Sequence, residues 1–109
     1  MATYVFSYRN FKGYAPTPET RARWMAWLEG MGDALVDVGR PVSARAGLGN
    51  CDSGTTELAG YSMVEAPDLN TAVTLAQGCP GLDRNGGVEI GELTEIAEVA
   101  ELTGPRQGA

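Results

Sequence analysis

The stretch GYSMVEAPDLNTAVTLAQGCPG, residues 60–81, contains in order the signals of a β-strand, a capped helix and a turn. Tyr61 and Met63 alternate with Ser62 and Val64, which predicts a strand over residues 59–65. A strand that leads directly into a helix is a basic unit of domains in which helices cover a sheet. This unit decides the fold, and the rest of the chain is interpreted around it.

The second half of the stretch predicts a helix with defined ends. Pro67 cannot continue a central strand, and Asp68 can accept hydrogen bonds from the free amides of a first helical turn. The apolar stripe of this helix comprises Leu69, Ala72, Val73 and Ala76. Gly78 ends the helix, and the chain then turns into a fourth strand, GVEIGEL, residues 87–93, where Gly91 is a candidate bulge. The sequence of residues 59–93 therefore predicts a strand, a helix and a second strand.

The N-terminal part of the chain shows the same order of signals. Residues 3–8 alternate with sizeable apolar groups on both sides, as in a sheet that is covered on both faces. Thr17 and Pro18 fit the N-cap and first position of a helix that is expected to end at Gly39. The apolar stripe of this helix comprises Trp24, Trp27, Leu28, Met31, Leu35 and Val38. A modest second strand is predicted over residues 41–46.

This order of elements predicts an α+β fold of ferredoxin-like βαββαβ topology, with a four-stranded antiparallel sheet and two helices on one face. The other face would be bare in a monomer. We therefore expect a homodimer whose sheets face each other, which is a dimeric α+β barrel. The domain is expected to span residues 1–94, and residues 95–109 form a C-terminal extension. Apolar residues within 93–100 favour a short helix or a frayed extension there that leans on a partner.

Two segments carry a resemblance to a known family. The pattern YxMVEAxDLxxAxxLAxGCPxL, residues 61–82, followed by NGGVEIGEL, residues 85–93, resembles the YCII-related family of the dimeric α+β barrel group. The resemblance extends more loosely over residues 4–93, and the Gly-Cys-Pro turn and Gly-Gly-Val-Glu strand are its most specific parts. It implies an enzyme or a degenerate enzyme that acts on a small organic molecule without metal or redox cofactor.

The chain also departs from that family. Catalysis proposed for its members uses a His-Asp pair, and this chain has no histidine. Asp33 and Asp37 therefore lack the partner that would make either one catalytic, and the catalytic residues are unknown. A sister branch carries an Asp-Gly-Pro-Phe motif before the third strand, where this chain has NCDSGTTELAG, residues 50–60.

Composition argues against several classes of partner. Eight lysine and arginine residues against fourteen aspartate and glutamate residues give a net charge of −6, so nucleic acid is not expected to bind. No apolar run approaches the roughly 20 residues that span a bilayer, and the N-terminus lacks the features of a signal peptide. No membrane association is therefore expected, and a cytoplasmic location is predicted.

Neither a metal nor a nucleotide cofactor is expected. Cys51 and Cys79 lie far apart and have no histidine to complete a zinc set. We interpret Cys79 as a small buried apolar residue and Cys51 as a loop thiol without a base to activate it. The glycine loops that bind phosphates and the acidic loops that bind calcium are missing from the sequence.

The residues best suited to bind a ligand lie at predicted strand ends and in the loops beside them. There arginine could hold a carboxylate or phenolate, and tyrosine could donate to a carbonyl oxygen. The candidate ligand-binding residues are Tyr8, Arg9, Tyr14, Arg45 and Tyr61. The alternative is that the tyrosines are core or interface aromatics and that Arg45 is solvated or paired.

Two functional classes remain open. The first is a non-catalytic dimer that binds a small organic ligand or a protein partner, for which the absence of histidine and the acidic surface speak. The second is a cofactor-independent enzyme on a carboxylate or phenolic substrate that uses tyrosine and arginine. A ligand-sized cavity between the first helix and the sheet would favour the small-molecule functions over a protein partner.

Overall fold

The computed structural model describes residues 1–52 and 54–98. Its strands form a four-stranded antiparallel sheet in the order β2-β3-β1-β4. This is the ferredoxin-like arrangement, so the predicted α+β fold class is confirmed. The elements are β1 (Ala2–Phe11), α1 (Pro18–Gly30), β2 (Leu35–Asp37), β3 (Thr56–Ala66), α2 (Leu69–Ala76) and β4 (Gly87–Leu93), with 3₁₀ turns at Gly32–Ala34 and Pro80–Arg84.

Strand β1 lies in the centre of the sheet and separates its two faces. Tyr4, Phe6 and Tyr8 are buried on the face that the helices cover. Val5 and Ser7 alternate with them and are half-buried on the opposite face, which no element of the described chain covers. The predicted two-sided strand is therefore found, with its largest side chains in the core.

Aromatic side chains join helix α1 to the core. Trp27 stacks on Phe6 with ring centroids 6.2 Å apart, and its indole nitrogen donates to the Leu75 carbonyl on α2 at 3.1 Å. The Trp24 ring meets the edge of Tyr8 at 4.9 Å. The indole hydrogen bond satisfies a half-buried donor and fixes the distance between the two helices.

Both predicted helix starts are confirmed. Thr17 caps α1 in a capping box with Thr20, and Pro18 is its first residue. Asp68 caps α2 by accepting from the Thr71 amide at 2.8 Å. Strand β4 has the predicted bounds, but its pairing with β1 is regular at Gly91. The irregularity lies instead in the β1–β3 ladder, where Ala59 is the extra residue.

The end of the first helix and the second strand were predicted wrongly. Helix α1 ends at Gly30, because Gly32 has a φ of +56° that a helix cannot accommodate. The chain then enters β2 at Leu35, within the stretch assigned to the helix. Pro41, assigned to strand 2, forms an isolated bridge with Gly60 instead.

The predicted C-terminal extension lies largely outside the described residues. A helical turn begins at residues 96–98, and residues 99–109 fall beyond the described part of the chain. No helix among the described residues is long and apolar enough to cross a membrane.

Candidate functional site

A cavity of about 550 Å³ lies between helix α1, the sheet and the segment that follows β2. This volume is within the range of small-molecule sites, about 300–1,000 Å³. Its wall on the sheet comes from Tyr8 and Asn10 on β1 and from residues 59–62 on β3. Its opposite wall comes from one side of α1, where Arg21, Met25 and Leu28 follow helical spacing.

Residues 38–42, which we call the strap, close one side of the cavity. The strap is bound to β3 by backbone hydrogen bonds from Val42 N to Ala59 O at 2.8 Å and from Tyr61 N to Arg40 O at 3.4 Å. Gly39, at a φ of +72°, lies directly against the β3 backbone, because a Cβ there would clash with the Tyr61 carbonyl. Glycine is therefore required at this position, and the strap holds Arg40 at the cavity.

The cavity is lined mainly by apolar and aromatic groups. Trp24, Met25, Leu28, Val38 and Val42 border it, and a ring-shaped molecule would find flat and aliphatic surfaces there. Trp24 thus has two roles, since its ring also packs against Tyr8 in the core. Trp27 does not line the cavity.

Tyr8 supplies a buried polar group at the floor of the cavity. The residue is 7% exposed, and its hydroxyl has no hydrogen-bond partner among the described residues. Burial raises the pKa of Tyr8 to about 12, although the nearby Ser62 hydroxyl lessens the rise. Ser62 itself donates to the Val38 carbonyl at 2.7 Å. At neutral pH Tyr8 is therefore a protonated donor that borders the cavity and has no acceptor among the residues described.

Arginine supplies the charge around the cavity. Arg21, Arg40 and Arg45 line it, and no aspartate or glutamate is among its lining residues in the described chain. Arg45 forms an ion pair with Glu57, whose carboxylate oxygen lies 3.2 Å from a guanidinium nitrogen. The side chains of Arg21 and Arg40 are exposed and have no ion pair or hydrogen bond within the described ranges. The cavity is thus locally positive in an acidic chain.

The predicted site residues are only partly brought together. Tyr8, Tyr14, Arg45 and Tyr61 all border the cavity. Tyr61, however, pairs with Ser7, and strand alternation directs its side chain to the open face of the sheet. Arg9 lies on that open face too and donates from Nε to the Thr56 hydroxyl at 2.8 Å. Both residues are therefore poorly placed to contact a ligand in the cavity.

Arg45 has a structural role in this arrangement. Its Nε donates to the Leu58 carbonyl at 2.9 Å and one terminal nitrogen donates to the Val42 carbonyl at 3.2 Å, in addition to the Glu57 pair. The guanidinium therefore secures the chain after the strap to β3. A ligand anion would have to compete with Glu57 for it.

Three further residues that line the cavity were not predicted from the sequence, namely Arg21, Arg40 and Asn10. Arg21 could have been found, because it lies four and seven residues before Met25 and Leu28, beside Trp24. Arg40 could not, since its position depends on the strap, whose residues were divided between the end of the predicted helix and the predicted second strand. Asn10 belongs to a strand that continues to Phe11, beyond the predicted end at residue 8.

The cysteines behave as predicted, since Cys79 is a buried free thiol and Cys51 an exposed one. Burial raises the pKa of Cys79, which makes its thiol inert at neutral pH. Among the described residues, no cluster of three or more cysteine, aspartate or glutamate residues could hold a metal ion. The chemistry available at the cavity is thus that of hydroxyl, amide and guanidinium groups.

No protein-family model and no curated protein matches this chain. Among solved structures it is similar to the 5-chloro-2-hydroxyhydroquinone dehydrochlorinase TftG from Burkholderia phenoliruptrix AC1100, in complex with 2,5-dihydroxybenzoquinone. The TM-score is 0.61 at 15% sequence identity, over 88% of this chain and 97% of that chain. At this identity the likeness shows a shared fold, in agreement with the sheet topology.

Proposed function

We propose that this chain is a small-molecule-binding domain whose ligand is a ring-shaped organic compound held between helix α1 and the sheet. The observation that carries the proposal is the apolar cavity of about 550 Å³ with the buried hydroxyl of Tyr8 at its floor, which has no hydrogen-bond partner within residues 1–52 and 54–98. An unpartnered buried hydroxyl costs about 1–3 kcal/mol, and a ligand acceptor would remove that cost. The fold is shared with an enzyme solved in complex with a quinone, which is consistent with such a ligand.

Binding is favoured over catalysis by the chemistry of the lining residues. General acid–base catalysis near neutral pH draws mostly on histidine or on a carboxylate with a shifted pKa. The chain has no histidine, and no aspartate or glutamate lines the cavity in the described chain. Tyr8 is available as a donor and its raised pKa opposes its use as a base. We therefore rank a cofactor-independent enzyme second.

The proposal includes membership in the YCII-related family, a cytoplasmic location and a homodimer formed through the open face of the sheet. The homodimer is supported by partly exposed apolar side chains on that face, among them Val36, Leu58 and Leu93, which are 47%, 43% and 43% exposed. A second copy would cover them and close the assembly by a two-fold axis. Light scattering tests this part, and a mass near 11.5 kDa at all concentrations would contradict it.

The binding proposal is tested by calorimetric titration of the full chain with 2,5-dihydroxybenzoquinone, 4-hydroxybenzoate and 4-hydroxybenzamide. We expect at least one of them to bind with a Kd of about 1 mM or lower, as small ring compounds do in a formed apolar site. Leu28→Trp should abolish that binding by filling the cavity. The matched control is Ala22→Trp, at an exposed position of the same helix that does not line the cavity.

Two outcomes would contradict the proposal. The first is the absence of binding by every compound to the wild-type chain. The second is equal binding to the wild-type chain and to a folded Leu28→Trp variant, since a ligand outside the cavity would be unaffected by the larger side chain.

A further inference from the structure

The charges around the cavity are distributed differently from those of the whole chain. The chain carries eight basic and fourteen acidic residues. Arg21, Arg40 and Arg45 all line the cavity, whereas no acidic residue of the described chain does. The concentration of positive charge next to an apolar cavity attracts anions and repels cations.

Two of the three arginines are available to a ligand. Arg45 is engaged by Glu57 and by the Leu58 and Val42 carbonyls. Arg21 and Arg40 have no side-chain partner within the described ranges. Arg23 on the same helix differs from them, because it pairs with Asp83 at 2.8 Å and does not line the cavity.

The polar groups of the cavity differ in burial, and this difference distinguishes its mouth from its floor. Arg21 and Arg40 are exposed and therefore lie at its mouth, Arg21 on α1 and Arg40 on the strap. Tyr8 and Ser62 are buried and lie at its floor, where Tyr8 supplies a donor that has no acceptor in the part of the chain that the structure describes. Between floor and mouth the walls are apolar, with Trp24 and Leu28 among them.

We propose that the ligand is an aromatic carboxylate, with its carboxylate held by Arg21 and Arg40 at the mouth and an oxygen at the opposite end of its ring accepting a hydrogen bond from Tyr8. This inference rests on the proposed binding function and narrows it to one class of compound. Guanidinium groups bind carboxylates with directed, charge-assisted hydrogen bonds, and the apolar walls enclose the ring. A neutral ring compound of the same shape would offer the two arginines no negative charge.

The test compares 4-hydroxybenzoate with its neutral isostere 4-hydroxybenzamide by calorimetric titration of the full chain. We expect the acid to bind about two- to thirtyfold more tightly than the amide, because each of the two exposed charge pairs contributes about 0.2–1 kcal/mol. Raising the salt concentration from about 0.05 M to about 0.5 M should weaken binding of the acid and leave the affinity for the amide unchanged.

Matched substitutions locate the charge. Arg21→Gln and Arg40→Gln should each weaken binding of the acid by about 1.5- to fivefold without affecting binding of the amide. Arg23→Gln is the control, since it removes the same charge from the same helix away from the cavity, and it should leave both affinities unchanged. Circular dichroism spectra identical to the wild type confirm that the variants are folded.

The outcomes separate this inference from the function on which it rests. Equal affinity for acid and amide, or an equal loss of both in the Arg21 and Arg40 variants, would overturn the anion assignment while the small-molecule function stands. A loss of acid affinity in Arg23→Gln as large as in Arg21→Gln would overturn it as well, by showing a diffuse effect of net charge. If neither compound nor the quinone binds, both proposals fail.

Discussion

The two helices occupy equivalent places on the sheet, yet the space beneath them is filled differently. Ala72 and Ala76 bring α2 close to the sheet and are 0% and 2% exposed. Helix α1 meets the sheet through Trp24 and Trp27, and the large rings on one side of it leave the cavity beside Leu28. Small residues under α2 thus form a scaffold, whereas large residues under α1 prop open a site.

The largest expected effect concerns the strap, which closes one side of the cavity under α1. Gly39→Ala should lower the free energy of unfolding by about 3 kcal/mol or more, because it combines the strain of a φ of +72° with a clash against the Tyr61 carbonyl. Urea unfolding measures the loss. Gly49→Ala is the matched control, since Gly49 has a φ of +69° and open space around it, and it should lose only about 1–2 kcal/mol.

An equal loss in the two glycine variants would show that close approach contributes nothing at Gly39. The strap would then be held only by its hydrogen bonds, and the cavity wall would be less well defined than the structure indicates.

The next effect compares the packed region under α2 with the cavity under α1, by placing a leucine side chain in each. Ala72→Leu, under α2, should destabilise the protein by about 1–3 kcal/mol, because there is no space for a larger group at a fully buried position. Ala59→Leu, at the cavity, should change stability by less than about 0.5 kcal/mol, since the cavity can receive the side chain. Thermal unfolding with calorimetry compares them, and equal losses would break the distinction between scaffold and site.

The same division explains what could be predicted from the sequence. Around α2, local signals agree with the fold, since Asp68 caps the helix and Gly87–Leu93 has the predicted bounds. Around α1, the apolar stripe continues through Leu35 and Val38 at helical spacing although Gly30 and Gly32 end the helix. Sequence periodicity alone favoured one long helix there, and the strap and Arg40 were lost with that choice.

The candidate site was predicted in part for a related reason. Tyr8 was predicted from its place at the expected end of strand 1, and it borders the cavity although the strand continues to Phe11. Tyr61 was assigned to the same site, but its pairing with Ser7 and the bulge at Ala59 direct its side chain to the other face. Neither the pairing nor the bulge can be derived from composition or spacing. A cavity between elements depends on how completely side chains fill the space, which no local pattern reports.

A smaller effect is expected from removing the hydroxyl at the cavity floor. Tyr8→Phe should leave the free energy of unfolding unchanged or raise it by up to about 1 kcal/mol, because the lost hydroxyl is buried without a partner among the described residues. It should weaken 4-hydroxybenzoate several-fold in the same titration. Tyr61→Phe is the control, since that phenol faces the open side of the sheet, and its ligand affinity should stay at the wild-type value.

A marked loss of stability in Tyr8→Phe would mean that the hydroxyl is satisfied inside the protein. The hydroxyl of Tyr8 would then be a satisfied core group, as in the scaffold, and would not be available to a ligand.

The smallest effect is a pH dependence in the scaffold half. Hydrogen bonds from the side chain and backbone of Thr71 lower the pKa of Asp68. This carboxylate therefore stabilises the fold above its unfolded-state pKa, and the contribution is lost as the pH falls through the lower folded-state value. Asp68→Asn should show a weaker loss of stability under acid conditions than the wild type. Parallel acid unfolding curves for the two proteins would contradict the role of the ionised cap.

The most direct test of the central claim is a crystal structure of the full chain soaked with 4-hydroxybenzoate. The account predicts one molecule between α1 and the sheet, with its ring against Trp24 and Leu28, its hydroxyl oxygen about 2.7 Å from Tyr8 Oη and its carboxylate at Arg21 and Arg40. A cavity that holds only water at saturating ligand, or a ligand bound on the open face of the sheet, would contradict it.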